Sequence, residues 1–264
     1  MTLGRAETSR SRDPIHRRGP FPLPPYLTAP WGLGVLSVFL CLISPAWGKS
    51  SSPWSGDVGL GLSSTTGTNT SLSVNTKDDL RWKGPLWHSH THLSFNYASS
   101  SGAVSANRLV VANQTKRLLS PSEYLYGNIR YDRNPFDGYY YHLSETLGYG
   151  QTIALGHRMT LSAEIGAGTL EDHPIGQSAR VHYLSRLAGN YRWHISKHVV
   201  FKEDLTALVS SSGTNSYESN TSLQTRVYGP IGMQMSYTAT YNTQVPAGYQ
   251  RLNTITAVNL VYSF

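Results

Sequence analysis

The 264-residue chain carries 22 Lys and Arg against 15 Asp and Glu, with 10 His, 17 Tyr, 24 Gly, a single Cys and only 14% charged residues. A mean hydropathy of -0.31 excludes a bundle of membrane helices, and one cysteine excludes a disulfide scaffold or a cysteine-based zinc site. A hydrophobic content of 39% with so little charge is a folding composition rather than that of a disordered chain.

The first 48 residues differ in kind from the rest. Arg5, Arg10, Arg12, Arg17 and Arg18 precede an apolar run from Trp31 to Ile43, and Ala46-Trp47-Gly48 follows it. This order predicts a secretory signal peptide over 1–48 with a long basic leader. The run, shortened by Gly32 and Gly34, falls below the roughly 20 apolar residues of a spanning helix. Cys41 follows Val38-Phe39-Leu40, without the small residues of an acylation site. The predicted second region, 49–264, has 216 residues, no cysteine, and 17 basic against 13 acidic side chains. It shows no Lys/Arg cluster or recognition-helix pattern, so nucleic acid is not an expected partner.

From Trp54 onward the apolar residues recur with a period of two, the mark of strands with one apolar and one polar face. Leu72, Val74, Leu80 and Trp82 oppose Ser73, Asn75, Lys77, Asp79 and Arg81. Trp87, Leu93, Phe95 and Tyr97 oppose His88, His90, His92 and Asn96. Val181, Tyr183, Leu187, Tyr191 and Trp193 oppose Arg180, His182, Arg186, Arg192 and His194. Ile231 to Tyr241 repeats the pattern, and Leu252, Val258, Leu260, Tyr262 and Phe264 close the chain opposite Arg251, Asn253, Asn259 and Ser263.

Eleven turn signals separate these runs, at Gly67, Gly84-Pro85, Gly102, Pro121, Asp137-Gly138, Gly156, Pro174 to Gly176, Lys197, Gly213, Gly229-Pro230 and Pro246 to Gly248. Twelve strands follow, at about 18 residues per strand and turn, enough for the 9–11 residues a tilted strand needs to cross a bilayer. Val104 to Leu119 alternates poorly and leaves ten strands as the other count. A soluble sandwich or lipocalin-like barrel also alternates. Against it, Trp54, Trp82, Trp87, Tyr149, Trp193, Tyr241, Tyr262 and Phe264 lie near strand ends, where two interfacial belts of a membrane barrel need them. The expectation is therefore an all-β, antiparallel, up-and-down transmembrane barrel whose apolar face meets outer-membrane lipid. The short turns at 84–85, 121, 156, 197 and 229–230 would face the periplasm. The longer polar connections, among them Thr169 to Ser178, Ser210 to Ser216 and Thr243 to Tyr249, would face outward. The alternate apolar positions ending in Leu260, Tyr262 and Phe264 resemble the C-terminal strand signal that the outer-membrane assembly machinery reads.

Trp54-Ser-Gly-Asp-Val-Gly-Leu-Gly-Leu62, Thr66-Gly67-Thr68-Asn69-Thr70, Tyr131-Asp-Arg-Asn-Pro-Phe-Asp-Gly138, Gly148-Tyr149-Gly150 and Glu164-Ile-Gly-Ala-Gly168 together resemble the YdiY-like family of salt-induced outer-membrane proteins, the domain of unknown function 481. The likeness spans roughly 54–264, with Thr68 departing from the Gly-Asn-Thr usual in the first hairpin. It implies a barrel in the bacterial outer membrane and carries over no catalytic residue.

Two constellations are candidates for chemistry. His142 and Ser144 share a strand face and resemble the His-x-Ser pairing of outer-membrane phospholipases, where a Ser nucleophile needs a nearby base, but Glu145-Thr146 stands where that resemblance implies an Asn-Gly to orient the base, and polar lumen lining is the preferred reading. His88, His90 and His92 stand in one row with neighbours about 6.5–7 Å apart, close enough for an adjacent pair to share a copper or zinc ion but too far for all three to converge on one, and no carboxylate follows at ligand spacing. They read as titratable wall. No motif requires a cofactor, and no enzyme activity is expected. The inward-facing list includes Lys77, Arg81, Arg130, Arg158, Arg180, Arg186, Arg192, Arg226 and Arg251, with Arg108, Lys116 and Lys202, against Asp57, Asp79, Asp132, Glu164, Asp204 and Glu218. A basic ring favours anions in an aqueous pore. The sequence therefore predicts a small anion-preferring diffusion channel, or, if Arg–carboxylate ladders fill the lumen, a closed structural or envelope-stress barrel without solute flux.

Overall fold

The computed structural model describes residues 52–66, 71–100, 103–245 and 248–264. The predicted signal peptide lies outside the described residues. Alternation becomes twelve strands: β1 (Trp54–Thr66), β2 (Ser71–Lys83), β3 (Trp87–Ser100), β4 (Ala103–Leu118), β5 (Glu123–Arg133) and β6 (Tyr139–Ala154). Then follow β7 (Met159–Pro174), β8 (Arg180–His194), β9 (Val199–Ser210), β10 (Ser216–Tyr228), β11 (Ile231–Asn242) and β12 (Leu252–Ser263). Each pairs antiparallel with its sequence neighbours, and β12 returns to β1, with Leu60 opposite Leu260. Closure leaves no unpaired edge, the condition for crossing lipid with strands.

The predicted turns at Gly84-Pro85, Pro121, Asp137-Gly138, Gly156, Lys197, Gly213 and Gly229-Pro230 fall between strands, whereas those at Gly67, Gly102 and Pro246 lie outside the described residues. One boundary shifts: Thr169 to Ser178 was expected to be loop, whereas β7 continues to Pro174. Ten strands are excluded because 103–118 forms a full strand, β4, paired with both neighbours. Its alternation is blurred by polar residues on the outer face, where the Asn113 amide donates to Ser89 Oγ and Thr91 Oγ1 at 3.1 and 2.9 Å.

The apolar face is outside: Leu147, Ile165, Tyr183, Leu205, Met235 and Leu260 are all exposed. Aromatic side chains band the two ends, with Trp54 against Trp82 and Tyr262 against Phe264 at the short-turn end, and Tyr131 on Tyr141 and Tyr217 near Tyr241 at the long-loop end. The interior is polar, with Asn75, Asn96, Ser144, Glu164, Asp172 and Asn259 among its buried residues. Asn259 packs over Gly61 across the closing seam, where a Cβ on the glycine would collide with its side chain and backbone. Phe264 completes the seam: its amide donates to Gly56 O and its carbonyl accepts from Gly56 N, both at 2.9 Å.

Candidate functional site: the barrel lumen

Twelve strands at the usual spacing and tilt enclose a ring of roughly 12 Å radius to the backbone. Inward side chains decide how much of it is open.

Of the residues expected inside, Lys77, Arg81, His88, His90 and His92 line a cavity of about 660 Å³ toward the short-turn end, together with Arg130, Arg186, Arg192 and His194. His142 borders a smaller one of about 150 Å³ toward the long loops. His182 faces inward on β8 opposite Leu170, which lines that smaller cavity. Four expected lumen cations sit at the rims instead. Arg158 lies in the β6–β7 turn and donates to Ile195 O, and Arg180 at the long-loop mouth donates to Gln177 Oε1. Arg226 is exposed near the end of β10, and Arg251 precedes β12. Alternation assigns a side of the sheet but not a depth, and these residues stand at or beyond the strand ends.

Three ionic clusters organise the wall. On β1–β3, Arg81 Nη1 donates to Asp57 Oδ2 at 2.9 Å, and Ser263 Oγ of β12 donates to Asp57 Oδ1 at 2.6 Å, so Asp57 ties the closing seam. Asp79 Oδ1 meets His90 Nε2 at 2.8 Å and His92 Nδ1 at 3.1 Å. The carboxylate absent from the histidine segment therefore arrives from the neighbouring strand. Among the described residues no group of three or more His, Cys, Asp or Glu is arranged to hold a metal ion.

The second cluster surrounds Glu164, whose side chain is only 1% exposed. It accepts from Arg186 at 2.8 Å, Tyr124 at 2.8 Å, Lys116 at 2.9 Å and Gln114 at 2.9 Å. Tyr124 and Tyr126 can lie flat on this wall because Gly150 and Gly148 leave the space beside them: a Cβ there would approach the rings to 2.5 and 2.7 Å.

The third cluster crosses the lumen. Arg108 of β4 holds Asp132 of β5 through two bonds of 3.0 and 2.5 Å, and Arg130 reaches Asp132 at 3.4 Å. Glu218 of β10 joins them, 3.1 Å from Arg130 and 3.8 Å from Arg108. In a ring of twelve, β4 and β10 are diametrically opposed, so these side chains form a bar across the lumen. Arg130, Arg186 and Glu218 border the cavities on both sides of it.

The two sides differ in charge. Eight Lys or Arg and three carboxylates line the short-turn cavity, whereas three Arg and four carboxylates line the long-loop cavity. Among the latter is Asp172, absent from the inward-facing residues expected from the sequence because Thr169 to Ser178 reads as loop. Its parity with Glu164 on β7 was the available signal. Asp172 binds His142 Nδ1, while Ser144, two residues along the same face, makes no hydrogen bond to that imidazole among the described residues.

A family model described as "Protein of unknown function, DUF481" matches residues 58–264. The Escherichia coli K12 protein "Uncharacterized protein YdiY" is 23% identical over 233 residues, covering 86% of this chain and 89% of that protein. Among solved structures, the NanC porin aligns over 78% of this chain and all of its own with a TM-score of 0.55 and 9% identity. The translocator domain of the Neisseria meningitidis autotransporter NalP covers 88% of this chain and 96% of its own with a TM-score of 0.50 and 10% identity. At these identities the structural likeness speaks for the barrel fold.

Proposed function

The chain belongs to the DUF481 family, and from that premise and the geometry of its lumen we propose that it is a narrow, anion-preferring diffusion channel of the bacterial outer membrane, not an enzyme. The observation that carries this reading is the lining of the larger cavity, eight cations against three carboxylates. Fixed charge of one sign along an aqueous passage concentrates counter-ions and sets selectivity. The outward apolar band and its two aromatic belts support a membrane location. The short turns would face the periplasm, and the Leu260, Tyr262 and Phe264 face would be the segment the assembly machinery reads.

The bar formed by Arg108, Arg130, Asp132 and Glu218 favours a second reading, a closed structural barrel without solute flux. Proteoliposomes separate the two. Carboxylate solutes smaller than glucose should enter faster than ammonium solutes of the same size. Equal exclusion of both would favour the closed barrel, and faster entry of cations would refute the charge argument.

A further inference from the structure

The wall of the short-turn cavity is divided. On the β1–β3 side Asp57 is engaged by Arg81 and Ser263, and Asp79 by His90 and His92. On the β8–β10 side Arg186 is held by Glu164, but two further cations are not so engaged. Arg192 of β8 and Lys202 of β9 are a directly opposed cross-strand pair, and both border the cavity. Like charges directly opposed across a ladder destabilise it. Among the described residues neither forms an ion pair with a carboxylate, and Lys202 Nζ donates to the amide oxygen of Gln224 at 3.3 Å. Asp204, one inward position further along β9, borders the same cavity and forms no ion pair among the described residues. Toward the short-turn mouth the next inward position on β8 is His194, and the charged one on β10 is Arg226. Asn190 and Gln234 add neutral amide donors to the same cavity.

We infer that Arg192 and Lys202 form a binding site for a small multivalent oxyanion. The guanidinium presents a planar fork to two oxygens and the ammonium a mobile point charge to a third. An anion between them replaces a repulsive cross-strand contact by two charge-assisted ones. The inference rests on the same cavity as the anion-preferring reading and deepens it by naming the charge class and the residues. It concerns equilibrium binding, which does not require passage.

The test is calorimetric titration of the full barrel in detergent with inorganic pyrophosphate at constant ionic strength, with chloride as the monovalent comparison. Saturable binding of pyrophosphate and none of chloride is expected. Arg192→Gln with Lys202→Gln should weaken binding about tenfold or more, the loss expected for charge-assisted contacts. Arg180→Gln with Arg251→Gln removes the same net charge from the opposite, long-loop rim and should change it by less than about twofold. Lys202→Met, which keeps the aliphatic stem, stands in should the double variant not fold. Absence of saturable binding, or equal weakening by the cavity and rim variants, overturns the site. Binding by a barrel that passes no ions keeps the site and removes the channel; ion passage without binding does the reverse.

Discussion

Removing the Glu164 carboxylate should be among the most damaging single changes in the lumen. The side chain is 1% exposed and holds Lys116 and Arg186, whose side chains are 24% and 12% exposed. Glu164→Ala leaves two cations and the Gln114 and Tyr124 donors around a void. Removing one partner of a buried pair costs about 3–5 kcal/mol, and partial hydration of the two cations by lumen water places the expectation at the lower end, about 3 kcal/mol. That is roughly two decades in the folding equilibrium. Glu164→Gln keeps the shape and one acceptor oxygen, so about 2 kcal/mol is expected. Urea titration of the lipid-reconstituted barrel, followed by tryptophan fluorescence, reads both as midpoint shifts at constant slope. Adding Arg186→Ala to Glu164→Ala should cost less than the sum of the single changes, because it removes one stranded charge. Stability within about 0.5 kcal/mol of the parent for both single variants would refute the reasoning, since that is the range of an ordinary surface site.

Glu218→Gln should loosen the bar across the lumen, raising conductance and strengthening anion preference in planar bilayers; unchanged values would mean the bar is not the constriction. Leu260 is exposed to lipid on β12, so Leu260→Asp should destabilise the barrel by about 2 kcal/mol and reduce heat-modifiable protein on gels. Deleting Phe264 should do the same by removing its reciprocal bonds with Gly56, and normal assembly of both variants would contradict a lipid-facing terminal strand. In the β5–β6 loop, burial raises the Asp137 carboxyl above its ordinary value. The ionised form therefore costs stability at neutral pH, and that cost is relieved as pH falls through the raised value. Protease resistance of the 134–138 loop should rise on mild acidification, and Asp137→Asn should remove that dependence.

Period-two alternation carried the strand count and the inside-outside assignment, because a one-residue slip would turn every apolar side chain of a strand into the lumen. Alternation failed where a local polar network occupied the outer face, as at Asn113, Ser89 and Thr91 on β3 and β4. It also could not place residues in depth, which is why Arg158, Arg180, Arg226 and Arg251 were counted with the lumen. The bar across the barrel was illegible for a different reason. Arg130 and Glu218 are 88 residues apart, and they meet only because closure puts β5 and β10 on facing walls. Lys116 and Glu164, 48 residues apart, meet because the wall curves over the three strand steps from β4 to β7. A basic surplus could be counted from the sequence, but which cations are neutralised depends on these long-range pairs. The structure divides them: Arg81, Arg108, Lys116, Arg130 and Arg186 hold carboxylates, while Arg192 and Lys202 do not. For that reason a charge reversal at Arg186 would test stability rather than selectivity, and the informative positions are Arg192 and Lys202.

The most direct measurement is the reversal potential of the purified barrel in a planar bilayer under a potassium chloride gradient. Discrete conductance steps with a reversal potential of the sign set by chloride are expected, moving toward potassium when Arg192 and Lys202 are both changed to Glu. Discrete steps with a potassium-selective potential in the parent, or insertion without any conductance, would contradict an anion-preferring channel.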